Sequence, residues 1–288
     1  MPPSRVPSVS VFPVGAGPSG LTYDGKYIWT ANSREATVTK VSRDGQVVGS
    51  YRVGTEPAGV AAGGGYIWVA NRHDGTVTQL NPEGQHVRTV MVGKEPVDLV
   101  FWERAVWVAN YGDGTLHKIG TDGRVLARFP VGTKPRSVTM GSGHLWVASQ
   151  GDSTLVKVER EGRTAGSFRV YGSLSPRTFA EDSGPVSVVF DGDALWLAFP
   201  QIEGMARASE EGKSQGFYPV PGGPNALAFG AGSVWAASTS SGTVARFASK
   251  GIRVATIAVG KRPVALAYDG TSMWVANQLD DSVSRIDP

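Results

Sequence analysis

The stretch VGTEPAGVAAGGGYIWVANRHDGTVTQLNPEGQHVRTVM, residues 53–91, is one copy of a 39-residue unit that recurs along the chain. A tryptophan marks each copy, and successive tryptophans are 39 residues apart except for one interval of 50. A proline stands eleven residues before each of them. The seven markers are Trp29, Trp68, Trp107, Trp146, Trp196, Trp235 and Trp274. Two markers at fixed spacing in seven copies identify a repeat protein.

Each copy contains four short strand signals that are separated by turns. In the second copy they are Ala58–Ala62, Tyr66–Asn71, Thr76–Leu80 and His86–Val92, with glycine-rich or Pro-Glu-Gly clusters between them. No segment has the periodicity of a helix. The pattern predicts an all-β fold, a seven-bladed β-propeller with four antiparallel strands per blade. Residues 1–288 then form a single domain, with an insertion near residues 171–184.

The two ends of the chain complement each other. The last copy stops after its third strand, in the sequence DSVSRIDP at residues 281–288. Ser8–Gly15 reads SVSVFPVG and aligns with Val48–Gly54 at the end of the first copy. We therefore predict that the N-terminal strand completes the last blade, which closes the ring and removes an open sheet edge.

Composition narrows the class of protein. The chain has 28 basic and 25 acidic residues, and its net charge of +3 is too small to indicate a nucleic-acid partner, so we do not expect one. It has no cysteine, which excludes disulfides and cysteine-ligated metals. No apolar run is long enough to span a membrane, and the N-terminus lacks an apolar signal core. We expect a monomer, either cytoplasmic or, if a signal peptide has been removed, secreted or periplasmic.

Polar residues that recur in most copies are interpreted as architecture. Asn or Ser follows the tryptophan by three residues and an acid by six, both suited to bonding the next turn. A basic row follows eleven residues after the tryptophan, and we predict that it pairs with acids four residues further on. Its members are Lys40, Lys118, Lys157, Arg207, Arg246 and Arg285.

Residues that depart from the repeat are the candidates for function. In a propeller the loops between strands two and three, and those between blades, surround one mouth of the central channel, which is the default ligand site. The insertion at Tyr171–Gly184 and the altered loop Phe199–Gly204 both fall on this face. The insertion is either a tolerated loop without a role or a lid over the mouth. For the lid, the predicted ligand contacts are Arg177, Phe179, Phe199 and Gln201.

Charged and aromatic residues of blades two to four depart from the repeat on the same face. Arg72, Tyr111 and Arg136 are predicted to bind the ligand. The carboxylates Glu56, Glu95 and Asp98 could hold a divalent cation beside a catalytic His73. The alternative is a solvated rim of mixed charge.

Trp102 departs from the repeat at a turn between strands one and two, on the opposite face. It either covers an apolar seam or contacts a partner protein.

The pattern VGxxPxxVxxxxxxxWVANxxDGTVxxL, at Val53–Leu80 and Val92–Ile119, resembles two propeller groups, the YVTN-repeat family and the streptogramin B lyase-like (virginiamycin B lyase-like) family. The resemblance covers residues 8–288. Resemblance to the lyases implies metal-dependent opening of a cyclic depsipeptide by elimination, with histidines and a glutamate on the loop face, where His73 lies. Resemblance to the YVTN group implies an extracytoplasmic binding or scaffold protein.

The leading hypothesis is a binding protein that takes a small-molecule or peptidic ligand at the channel mouth. The first alternative is a lyase-like enzyme that breaks a C–O bond, with His73 as base and a cation such as Mg²⁺. The second is a protein-interaction scaffold that uses Trp102.

Overall fold

The computed structural model describes residues 7–170 and 183–287. These residues form seven four-stranded antiparallel sheets, which confirms the predicted seven-bladed β-propeller. Two short 3₁₀ turns, Pro200–Ile202 and Ser249–Gly251, are the only helical segments in the described part. In the same residues no helix is long and apolar enough to cross a membrane.

The strands follow the predicted order within each blade. The chain begins with β1 (Ser8–Pro13). Blade one contains β2 (Pro18–Tyr23), β3 (Ile28–Asn32), β4 (Thr37–Val41) and β5 (Val47–Arg52). Blade two contains β6 (Pro57–Gly63), β7 (Tyr66–Asn71), β8 (Thr76–Leu80) and β9 (His86–Met91). Blade three contains β10 (Pro96–Trp102), β11 (Ala105–Asn110), β12 (Thr115–Gly120) and β13 (Val125–Pro130).

The remaining blades repeat this arrangement. Blade four contains β14 (Pro135–Gly141), β15 (His144–Ser149), β16 (Thr154–Val158) and β17 (Thr164–Arg169). Blade five contains β18 (Ser187–Phe190), β19 (Leu195–Phe199), β20 (Gly204–Ala208) and β21 (Ser214–Pro219). Blade six contains β22 (Pro224–Gly230), β23 (Ser233–Ser238), β24 (Thr243–Ala248) and β25 (Arg253–Ala258). Blade seven contains β26 (Pro263–Tyr268), β27 (Met273–Asn277) and β28 (Ser282–Asp287).

The N-terminal strand closes the ring, as predicted. β1 pairs with β28 in antiparallel register, from Ser8 opposite Asp287 to Pro13 opposite Ser282. The ring of Phe12 lies 5.8 Å from that of Trp274. Blade seven is therefore built from both ends of the chain, and its closure depends on this one pairing.

The tryptophan of each copy lies on the second strand and is fully buried. The apolar clusters cross from blade to blade: Trp29 and Val38 of blade one, for example, pack with Ile67 and Leu80 of blade two. Each second strand is therefore buried on both faces, which explains its continuous apolar sequence.

The turn between strands one and two supplies the acceptor for most of these indoles. Trp29 donates to Asp24 and Trp146 to the carbonyl of Gly141. In blade three Trp102 occupies this turn position, and the buried indole N–H of Trp107 has no partner among the described residues. Trp102 itself is only 9% exposed and its ring lies 6.3 Å from that of Trp107. The side chain therefore belongs to the core, which is the apolar-seam interpretation.

The basic row has different partners from the predicted hairpin acids. Lys118 lies over the Trp107 ring, 4.8 Å from its centroid, and donates to the carbonyl of Arg160 in the next blade at 3.1 Å. Lys40 does the same with Trp29 and Pro82. Lys157 and Arg285 also reach the next blade, at Glu210 and at the carbonyl of Arg43, so four of the six members join adjacent blades. Arg207 and Arg246 instead bond residues of their own blades.

Candidate functional site

A cavity of about 660 Å³ lies on the propeller axis. The innermost strand of each blade lines it, together with loops at one mouth. Its volume falls in the range of small-molecule sites. The charged residues that line it are Arg34, Glu56, Arg72, Asp98, Arg136 and Arg262.

Backbone hydrogen bonds fix the mouth loops. The N–H of Arg72 donates to the carbonyl of Glu56 at 3.0 Å, and that of Tyr111 to Glu95 at 2.9 Å. The accepting residue, just before the proline, has a left-handed backbone, with φ of 52° at Glu56 and 49° at Glu95. Gly17 stands at this position in blade one, with φ of 68°. Glycine adopts this backbone conformation with the least strain. A glutamate at the same position therefore costs some backbone free energy.

Arg72 joins the two glutamates of the mouth. Its guanidinium lies 3.2 Å from Glu56 and 2.8 Å from Glu95. Burial works against its charge, but the hydrogen bond to Glu95 and the negative charges of both glutamates raise the pKa of Arg72. A residue predicted to bind a ligand and two predicted to bind a metal therefore form one ion-paired cluster.

Tyr111 lies between two guanidinium groups. Its ring centroid is 5.9 Å from Arg72 and 5.8 Å from Arg136. Burial lowers the pKa of Arg136, Tyr111 opposes that effect, and the positive charge of Arg72 adds to it. The structure thus brings together Arg72, Tyr111 and Arg136, which the sequence predicts as ligand-binding residues.

Asp98 bonds across the boundary between two blades. Its carboxylate accepts the N–H of Leu99 and of Val138 in blade four, both at 2.9 Å. Ser137 and Ser187 occupy the same strand position and accept backbone N–H groups of the next blade. Burial raises the pKa of Asp98 to about 6 against these hydrogen bonds. Its position is that of a blade-joining residue in the channel wall.

These contacts engage the three carboxylates that the sequence predicts to bind a metal beside a catalytic His73. His73 is exposed in the loop after β7. Within residues 7–170 and 183–287, no group of three or more His, Asp or Glu side chains is placed to hold a metal ion. Because Glu56 and Glu95 bond Arg72 and Asp98 bonds backbone N–H groups, these carboxylates as arranged do not fit Mg²⁺. The role of His73 stays a prediction.

The four residues predicted for the lid have different placements. Phe199 is fully buried in the core cluster with Leu155 and Leu197, so its side chain is part of the packing of blade five. Gln201 is exposed in the 3₁₀ turn after β19. Arg177 and Phe179 lie outside the described residues.

Sequence reasoning missed two arginines of the channel. Arg34 pairs with Asp281 across the junction of blades one and seven. Arg262 stands immediately before Pro263 with φ of 54°. That is the position of Glu56 and Glu95 in their blades, so the repeat alignment contained the signal for Arg262.

No protein-family model matches the chain, and no curated protein matches it either. Solved structures do. Virginiamycin B lyase from Staphylococcus aureus is 17% identical, with a TM-score of 0.84 over 98% of this chain and 100% of that one. The chain has the fold of the streptogramin B lyases.

Two further structures share this fold. A catalytically inactive variant of the Staphylococcus aureus lyase with quinupristin is 17% identical, with a TM-score of 0.85 over 98% of this chain and 100% of that one. Kuenenia stuttgartiensis hydrazine synthase is 16% identical, with a TM-score of 0.82 over 100% of this chain and 99% of that one. Proteins with such different names share one architecture, so function has to be argued from the site.

Proposed function

We propose that this propeller is a binding protein that takes a small-molecule or peptidic ligand at the mouth of its central channel. The observation that carries the proposal is the cavity of about 660 Å³ on the axis, open at the face of the interblade loops. A concave site of this size can enclose most of a small ligand or the end of a peptide.

The residues that depart from the repeat support this choice of face. Arg72, Tyr111 and Arg136 come from three successive blades and meet at the mouth. Other copies have small or neutral residues at the Arg136 position, such as Ala58 and Val97. The fold does not require a cation at this position, so Arg136 can serve in ligand recognition.

The loops that carry these residues are preorganised. Each is tied to its neighbour by a backbone hydrogen bond and, at Arg72, by two ion pairs. A ligand would therefore meet side chains that are already ordered, which reduces the entropy lost on binding. Gln201, at the exposed turn of blade five, is a further contact in this proposal.

The test is a ligand screen by thermal shift with small molecules and short peptides, followed by titration of each hit. We expect a hit that binds with one-to-one stoichiometry and loses affinity in Tyr111→Ala. The matched control is Leu126→Ala on the outer strand β13, where the side chain is 55% exposed and remote from the channel. Hits that bind Tyr111→Ala and Leu126→Ala equally well would refute the channel mouth as the site.

A further inference from the structure

Arg136 is the exception in its row of the repeat. It is the first residue after the proline that starts β14, and it lines the channel. The six equivalent positions hold uncharged residues: Ser19, Ala58, Val97, Val186, Asn225 and Val264. A guanidinium at this point is therefore specific to blade four and is not part of the architecture.

The carboxylates around the mouth already have partners. Glu56 and Glu95 bind Arg72, and Asp281 binds Arg34. Asp98 accepts two backbone N–H groups. None of these four acids is left to neutralise another cation.

Arg136, by contrast, has no ion pair or hydrogen bond from its side chain within the described residues. Its one contact of this kind is with the ring of Tyr111 at 5.8 Å. Arg72 lies on the same ring and adds like charge. A partly buried guanidinium without an anion is costly, and an incoming anion would relieve that cost.

A second arginine of the channel is also unneutralised among the described residues. Four arginines line the cavity, and of these Arg34 and Arg72 are ion-paired with acids. Arg262 also has no carboxylate partner in the part of the chain that the structure describes. Low-dielectric walls concentrate such a field along the axis, which draws anions toward the mouth.

We propose that Arg136 is the anion-binding residue of the channel and takes a carboxylate or phosphate group of the ligand, with the ring of Tyr111 as its support. The planar fork of a guanidinium matches both groups through two parallel hydrogen bonds. This inference rests on the proposed function and deepens it, because it identifies the ligand as one that carries a carboxylate or phosphate group.

The experiment measures dissociation constants by NMR titration for matched pairs of probes. Benzoate is compared with benzamide, and phenyl phosphate with phenol, on the wild-type protein and on Arg136→Asn. Asparagine is chosen because Asn225 occupies the same position in blade six, so the fold accommodates it. The control is Arg124→Gln in the β12–β13 hairpin, where the side chain is 84% exposed. Melting temperatures of all variants verify folding.

We expect at least one anion to bind the wild type more tightly than its uncharged counterpart, and more weakly as salt is added. Arg136→Asn should weaken that anion by about tenfold to a hundredfold, whereas Arg124→Gln should leave it unchanged. Preference for phenyl phosphate or for benzoate identifies the kind of oxyanion.

Two results would overturn the proposal and they differ in meaning. The oxyanion assignment would be refuted if uncharged probes bound at Tyr111 as tightly as the anions. It would also be refuted if Arg136→Asn left the affinity for the anions unchanged. Either result would leave the proposed function standing. No binding at the mouth by any probe, together with no hit in the ligand screen, would refute both.

Discussion

Asp98 offers the sharpest test of how the channel wall is built. Ser137 and Ser187 accept interblade N–H groups from the same strand position, so Asp98→Ser should keep an acceptor for the N–H of Val138. It removes the titrating carboxylate, together with the bond that the carboxylate makes to the N–H of Leu99. The replacement thus isolates the effect of placing a carboxylate in the wall. The matched control is Ser187→Ala, which removes an interblade bond of the same row, to the N–H of Leu227, without touching Asp98.

The magnitude follows from the raised pKa. The pKa of Asp98 moves from 3.8 to about 6 because burial disfavours the ionised form. A group whose pKa is raised by folding stabilises the protein below the unfolded pKa, and that stability is lost as pH rises through the folded one. One pKa unit corresponds to about 1.4 kcal/mol, so up to about 2 kcal/mol should be lost between about pH 4.5 and about pH 7.5.

The assay is urea unfolding followed by tryptophan fluorescence across this pH range. All other titrating groups are common to both proteins, so the quantity of interest is the difference in unfolding free energy between Asp98→Ser and the wild type. That difference should shift in favour of Asp98→Ser by up to about 2 kcal/mol as pH rises. For Ser187→Ala it should be independent of pH. A pH-independent difference for Asp98→Ser as well would show that Asp98 titrates as an ordinary surface acid.

Four further expectations concern the fold and the mouth. Deleting Ser8–Pro13 should lower the melting temperature and expose Trp274, seen as a red shift in fluorescence, and an unchanged melting curve would contradict the closure. Trp107→Phe should destabilise by about 1 kcal/mol less than Trp146→Phe, because only Trp146 has an indole hydrogen bond to lose, and equal costs in urea unfolding would contradict this. Phe199→Ala should cost about 3–5 kcal/mol as a core truncation, and a near-neutral result would indicate that its ring is not packed. Excess Mg²⁺ should leave the melting temperature where a chelator leaves it, and a clear stabilisation would restore the metal hypothesis.

The fold was predictable because its signals are local and repeated. Each blade carries its own turns and its own tryptophan, so spacing alone identifies the number of blades. The closure was predictable for the same reason, since Ser8–Gly15 matches the strand that the last copy lacks.

The site was less predictable, because the spacing of the repeat does not specify which side chains pair across blades. Alignment of the repeats placed Glu56, Arg72 and Glu95 on one face. It did not predict that the arginine binds both acids. Phe199 shows the opposite case. It follows Trp196 by three residues, in the row of the buried Asn71, so the alignment already indicated that its side chain faces the core.

The pairing of β1 with β28 also determines how the molecule can be attached to something else. Ser8 lies opposite Asp287, so the chain enters and leaves the last blade at one point of the outer wall. Both strands meet the interblade loops at their other ends, where Pro13 lies opposite Ser282. An affinity tag, a fused domain or a sensor surface joined beyond either strand would therefore sit on the side away from the channel opening. Immobilised molecules would all present that opening to the solution.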